Sequence, residues 1–244
     1  MIVMPMAGLS SRFTKAGYDK PKYMLNAFGK PLFDYAVESF SSYFSTEPFL
    51  FICRDIQNTP TFVEERCNAL GIKHFEIVVL DKPTDGQAET VVLGLQQSAK
   101  KSDPITIFNI DTFRRHFRFP DFLDECDGYL EVFKGEGANW SYAKPLAEGS
   151  NKVIETAEKN PISNLCSTGL YYFKSGLDFI ALFEKARSTN SALVNNEYYI
   201  APLYNLLIAD GADIRYDLVE TKDITFCGVP DEYDTFLASR ENQS

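Results

Sequence analysis

The chain has 244 residues, 45% of them hydrophobic and 24% charged, with a formal net charge of −10 at pH 7. That composition excludes intrinsic disorder, a collagen-like repeat and a disulfide-stapled miniprotein. The acidity does not suit bulk electrostatic binding of a nucleic-acid backbone or an anionic membrane, so any phosphate must be held locally by a few placed cations and backbone N–H groups.

In chain order, the first strand is expected at residues 2–6, an apolar run that lacks the basic start and the length of a secretion signal or a membrane span. Near-continuous apolar runs at 49–53, 75–80 and 105–110 predict three more strands buried on both faces. Between them lie three helical stripes: Phe33, Ala36/Val37 and Phe40; Phe62/Val63, Cys67 and Leu70; Ala88, Val91/Val92 and Leu95. Repeated β-α-β units imply parallel strands with right-handed crossovers. After about residue 125 the rhythm changes. Strands are expected at 129–133, 140–143, 152–156 and 167–173, helices at 176–187 and 197–208, strands at 214–218 and 224–228, and a closing helix at 230–238. The expected fold is α/β: a Rossmann-like, three-layer mixed sheet, mostly parallel. It forms one domain over 1–244, with a nucleotide-type half to about 125 and an acceptor-type half from about 126. Cys53, Cys67, Cys126, Cys166 and Cys227 form no C-x-x-C, and His74 and His116 are isolated, so no zinc site is expected. The expected setting is a reduced cytoplasm, with no membrane partner.

The loop after the first strand reads Ala7-Gly8-Leu9-Ser10-Ser11-Arg12 and continues to Lys20-Pro21-Lys22. Ligands of open parallel sheets bind beyond the carboxyl ends of the strands, where small residues let backbone N–H groups approach phosphates. Arg12 can fork onto two phosphate oxygens, and Lys20 and Lys22 are point cations. Residues 1–22 carry Arg12, Lys15, Lys20 and Lys22 against the single acid Asp19, a local excess opposed to the overall charge. The alternative is a glycine turn with solvated charges. Neither a Gly-x-x-x-x-Gly-Lys-Ser/Thr loop nor a Gly-x-Gly-x-x-Gly fingerprint is present here.

Further along, Thr84-Asp85-Gly86-Gln87-Ala88-Glu89-Thr90 reads as a turn opening a helix, fit for close backbone approach to a flat ring or for capping alone. Asp111, at the end of the fourth strand, can hold Mg²⁺ between phosphates or simply form a turn. Arg114, Arg115, His116 and Arg118 read best as a solvated basic face. Glu158-Lys159 precedes the strand Ser167-Thr168-Gly169-Leu170-Tyr171-Tyr172. The pair is open to reading as a surface ion pair, and Tyr171, Tyr172, Tyr198 and Tyr199 as core.

Taken in order, Ala7–Phe13, Lys20-Pro21-Lys22-Tyr23-Met24, Gly29-Lys30-Pro31-Leu32, the Thr84–Thr90 segment, Asp111 and Glu158-Lys159 resemble the sugar-phosphate nucleotidyltransferases. The resemblance implies the glycosyltransferase-A-like nucleotidyltransferase architecture. It also implies transfer of a nucleotidyl group from a nucleoside triphosphate to a phosphorylated small molecule, with pyrophosphate released and Mg²⁺ as cofactor. By that resemblance Arg12, Lys22 and Asp111 are catalytic, with Asp111 on the metal. Ala7, Gly8, Leu9, Ser10, Ser11, Lys20, Gly86 and Gln87 bind nucleotide. Glu158, Lys159, Thr168, Gly169 and Glu197 bind the acceptor. A sugar 1-phosphate for surface-polysaccharide precursors is the acceptor most relatives suggest; a cytidylyltransferase acting on a phosphocholine-like acceptor is the alternative. Homo-oligomerisation stays open.

There are two departures from the family pattern. Ser10 stands where the family's loop has its second glycine. Phe226, two residues before Gly228, stands where a second metal-binding Asp is common, with Asp223 and Asp231 as substitutes. The latter leaves room for a non-catalytic nucleotide- or sugar-binding regulatory protein. A glycosyltransferase is disfavoured because Asp111-Thr112-Phe113 is not Asp-x-Asp.

Overall fold

Four apolar runs build the centre of the molecule. In the computed structural model, which describes residues 1–239, they are β1 (Ile2–Pro5), β4 (Phe49–Cys53), β5 (Phe75–Val79) and β6 (Ile105–Phe108). Residues 240–244 of the expected domain lie outside the described residues. The four strands run parallel in the order β6-β1-β4-β5. Alternation along each strand feeds two separate cores. Val3, Leu50 and Ile52 enter one, and Ile2, Met4, Phe49 and Phe51 the other. All seven are fully buried, which is why β1 and β4 read as unbroken apolar runs; β5, expected to be buried on both faces, lies at the sheet edge, where it is only half-buried and exposes Val79.

Helices cover both faces. α2 (Leu32–Glu38) and α3 (Thr59–Leu70) pack Phe33, Val37, Val63 and Cys67 on one side. On the other, α4 (Gln87–Gln97) packs Val91 and Leu95, joined by Phe179 and Phe183 of a later helix. The short α1 (Ser11–Lys15) follows β1, and a hairpin of β2 (Asn26–Ala27) and β3 (Lys30–Pro31) precedes α2.

The C-terminal strands extend the sheet as a mixed one, as the change of rhythm after residue 125 foretold. β7 (Thr112–Arg114) leaves the sheet. β8 (Gly128–Lys134), β9 (Ser141–Pro145), β10 (Val153–Glu158) and β11 (Leu165–Phe173) follow, with β11 antiparallel to both β6 and β8. After them come α5 (Gly176–Thr189), β12 (Leu193–Val194), β13 (Glu197–Tyr198), α6 (Tyr204–Ala209), β14 (Ile214–Leu218), β15 (Ile224–Phe226) and α7 (Pro230–Ala238). β14 lies parallel to β8, and β15 pairs antiparallel with β7.

Several boundaries differ from the sequence expectation. The largest difference is the helix expected at 197–208. Asn195 and Asn196 both take left-handed backbone conformations and turn β12 onto β13. A two-residue turn of that kind favours asparagine. Pro202 then opens a 3₁₀ turn, and helix resumes only at Tyr204. The last strand stops at Phe226 rather than running to Gly228. All five cysteines are buried and unpaired in disulfides. Among the described residues no helix is long and apolar enough to cross a membrane.

Candidate active site

Two adjoining clefts open beyond the carboxyl ends of β1 and β6. The smaller, about 340 Å³, is lined by Ala7, Gly8, Leu9 and Ser11 of the first loop, by Gly86 and Gln87 at the start of α4, and by Glu197. The larger, about 530 Å³, contains Arg12, Asp111, Trp140, Glu158, Thr168 and Gly169. Gln87 lines both and marks their junction.

The first loop is shaped by Ser10, whose backbone adopts the left-handed region at φ 50°. A glycine there would do so without strain. The serine adds a hydroxyl that accepts a hydrogen bond from the Lys22 backbone N–H at 3.3 Å. That bond ties the two halves of the basic loop together. Pro21 and the buried Tyr23 fix the 3₁₀ turn that carries Lys22, and the Lys22 ammonium donates to Asp111 Oδ2. Lys20 is exposed and, like Ser10, Lys22 and Lys159, is not among the residues lining either cleft.

At α4, Glu89 accepts the Asp85 N–H and Thr90 Oγ1 donates to the Gly86 carbonyl, which starts the helix at the cleft edge. Gly86 has φ +126°, and a β-carbon there would lie 2.5 Å from the Tyr198 backbone N and O.

Glu158 is buried, with burial holding its carboxyl above the usual range while Ser141 and Lys159 pull it back. Ser141 Oγ donates to Glu158. Lys159 Nζ donates to the Tyr199 hydroxyl, which in turn donates to Glu197. Glu197 therefore sits on the wall of the smaller, first-loop cleft, linked to Lys159 through Tyr199 and close enough to Glu158 to raise its carboxyl further.

The position expected to supply a second carboxylate is filled by an aromatic wall: Phe226 packs on Trp140 at 4.7 Å and on Phe133 at 5.3 Å between ring centroids. Neither Asp223 nor Asp231 lines the cleft; Glu232 does. Its Oε2 accepts the Gly228 N–H at 2.7 Å and the Val229 N–H at 3.2 Å. A β-carbon added at Gly228 would lie 3.1 Å from Asp111 Oδ2 and 3.5 Å from Glu232 Oε2, so the two carboxylates converge on that glycine. Among the described residues no group of three or more His, Cys, Asp or Glu is arranged to hold a metal ion. Magnesium is commonly bound by one or two carboxylates, the remainder of its shell coming from water and substrate phosphates. Asp111 with Glu232 fits that kind of site.

Arg114 is not part of a solvated face. Its side chain is 9% exposed and its Nε donates to Glu131 Oε2 at 3.0 Å. Glu131 is itself buried on β8. Loss of water, reinforced by Asp217 opposite it, pushes its carboxyl up to about 7 despite Arg114 and the Thr168 hydroxyl. A carboxyl raised on folding stabilises the fold most where it is protonated, so its contribution falls as pH climbs from about 4.5 through about 7. Urea-denaturation midpoints are expected to fall between pH 5 and 8, and Glu131→Gln to make that fall shallower. An unaltered slope in the variant would contradict this.

A nucleoside-diphosphate-sugar pyrophosphorylase from Vibrio cholerae RC9 is 54% identical, over 98% of this chain and 100% of that one, with a TM-score of 0.94. The chain belongs to the nucleoside-diphosphate-sugar pyrophosphorylase family. A UDP-glucose pyrophosphorylase complexed with UDP-glucose shares the fold at TM-score 0.77 and 16% identity, over 100% of this chain and 98% of that one. So does a putative glucose-1-phosphate thymidylyltransferase from Bacillus anthracis, at 0.73 and 18%, over 97% and 93%. No protein-family model and no curated protein matches the chain. In this pyrophosphorylase-family chain, the cleft residues that sequence reasoning did not assign to a site are Asn109, Trp140, Tyr199 and Glu232. Asn109, two residues before Asp111, and Tyr199, two after Glu197, lie beside predicted site residues. The others come from separate elements that the fold brings to the cleft.

Proposed function

We propose that the protein is a nucleotidyltransferase that joins a nucleoside triphosphate to a sugar 1-phosphate and releases pyrophosphate. The observation that carries this reading is the pair of clefts meeting at Gln87, with Arg12 and the Lys22–Asp111 pair beside the junction. A base and ribose fit between the first loop and Gly86. The acceptor fits between Thr168-Gly169 and Glu158. The triphosphate spans the junction.

An oxygen of the acceptor phosphate attacks the α-phosphorus, the α–β phosphoanhydride bond breaks, and pyrophosphate leaves with the bonding pair. Arg12 forks onto the departing phosphates. Lys22 moves from Asp111 to the α-phosphate and its incoming oxygen, where negative charge crowds in the transition state. Lys159 balances the acceptor phosphate, and Glu158 orients acceptor hydroxyls. Asp111, with Glu232 beside it, would hold Mg²⁺, which when bound neutralises triphosphate charge. Surface-polysaccharide precursor synthesis in the cytoplasm is the setting we infer.

A second reading has one observation behind it. The Trp140–Phe226 corner, with Glu136 and Glu158 in the same cleft, also suits a quaternary ammonium, as in a phosphocholine-like acceptor. A pyrophosphate-release screen crossing the four common nucleoside triphosphates with sugar 1-phosphates and phosphocholine separates the two. Turnover with a sugar 1-phosphate supports the first reading. Turnover with phosphocholine alone supports the second. Nucleotide binding without turnover on any acceptor would overturn both.

A further inference from the structure

Glu131 takes no part in the chemistry above, yet it is 1% exposed among apolar strands. Burying a carboxyl costs several kcal/mol unless it is well partnered, and a buried ion pair is commonly no more stabilising than apolar residues of the same volume. A geometric role accounts for it better than stability does.

Its position supplies that role. The β8–β11 ladder pairs Val132 with Ser167 and Leu130 with Tyr171, and it is irregular between them. Two steps along β8 therefore face four along β11, and Glu131 stands opposite Thr168, Gly169 and Leu170. The surplus chain bulges, and its Thr168 and Gly169 line the larger cleft. Glu131 Oε1 accepts the Thr168 hydroxyl at 3.0 Å, while Oε2 accepts Arg114 Nε. Arg114 lies on β7, three residues after Asp111, so the carboxyl links the phosphate side of the cleft to its acceptor wall. On its other side the bulge presses on Asn109. Gly169 has φ +90°, and a β-carbon there would collide with the Asn109 side chain. Asn109 Oδ1 accepts from Gln87, the residue shared by the two clefts. The Gly169 N–H is closed locally by Ser167 Oγ at 3.1 Å.

We propose that Glu131 is a positioning residue for the acceptor: fixed by Arg114 at one oxygen, it holds the Thr168 hydroxyl with the other and so sets the β11 bulge that walls the acceptor cleft. The inference rests on the acceptor reading under Proposed function.

The test uses the full chain and three variants. Glu131→Ala and Thr168→Val are each expected to raise the acceptor KM about tenfold, as for loss of a hydrogen bond to a charged group, with the nucleotide KM within about twofold. Glu131→Gln keeps a carbonyl oxygen for Thr168 but turns its NH2 toward Arg114 Nε, and is expected to raise the acceptor KM less than Glu131→Ala does. The Glu131→Ala/Thr168→Val double variant should be no worse than either single change. Thr168→Val removes only a hydroxyl and carries the test if Glu131→Ala fails to fold. Hydrogen exchange, which needs no substrate, should speed up about tenfold at Gly169 and Leu170 in Thr168→Val and Glu131→Ala. An acceptor KM within twofold of wild type in Thr168→Val would overturn the proposal. So would an equal rise in both KM values, or unchanged exchange at the bulge. Failure of the wild-type protein to turn over any acceptor would instead overturn the proposed function, while the exchange measurement still decides whether Glu131 sets the bulge.

Discussion

Lys22→Ala is expected to lower the turnover of nucleoside triphosphate and acceptor on the order of 10²-fold or more, the usual loss when a preorganised charge aimed at a transition state is removed. The lysine is held for this role from three sides. Pro21 sets the backbone before it, the buried Tyr23 anchors the residue after it, and Ser10 Oγ accepts its N–H. Its ammonium rests on Asp111 between two partly exposed side chains. An ion pair in that setting contributes about 1 kcal/mol or less, so the melting temperature should move little while turnover collapses. Lys22→Arg keeps the charge but not the compact ammonium, and should recover only part of the loss. Pyrophosphate release and a thermal melt on the same preparations check this. Turnover within tenfold of wild type would refute the role given to Lys22.

Gly86→Ala is expected to damage both stability and nucleotide binding. At φ +126° and ψ 177° the residue occupies a region that is almost exclusively glycine's, and strain there costs about 1–3 kcal/mol before any contact is counted. The contact adds to it, because the new β-carbon would lie 2.5 Å from backbone atoms of Tyr198. Tyr198 cannot swing aside as a side chain could, since its N–H is bonded to the Asp85 carbonyl at 2.6 Å. The strand carrying Glu197 and the start of α4 must separate, which opens the smaller cleft. A loss of about 3 kcal/mol in denaturant stability and a tenfold or greater rise in the nucleotide KM are expected. A variant with wild-type stability and nucleotide KM would show that the approach of α4 to β13 is not needed.

Much of the architecture was legible because parallel strands buried on both faces leave unbroken apolar runs, as at 49–53, and helices between them leave stripes such as Val91 and Leu95. The helix expected at 197–208 failed because Asn195 and Asn196 favour a turn and Pro202 breaks the first helical hydrogen bonds, and both local signals outweigh an apolar period. In the basic run 114–118, Arg115, His116 and Arg118 are exposed as expected, and only Arg114 departs. Arg114 is charged like its neighbours, and only the β7–β15 pairing turns it inward to Glu131.

The net charge of −10 and the small basic loop at residues 12–22 were legible as a local charge contrast, and the order of motifs pointed to the family. Those properties are carried by composition and by short contiguous segments, so no fold is needed to read them. Which carboxylate stands beside Asp111, which residue bridges the two clefts and what bonds the Thr168 hydroxyl were decided by the tertiary structure. Glu232 and Gln87 lie on α7 and α4, far apart along the chain, and only the packing of the fold brings them to one cleft, as only sheet pairing sets Glu131 of β8 against Thr168.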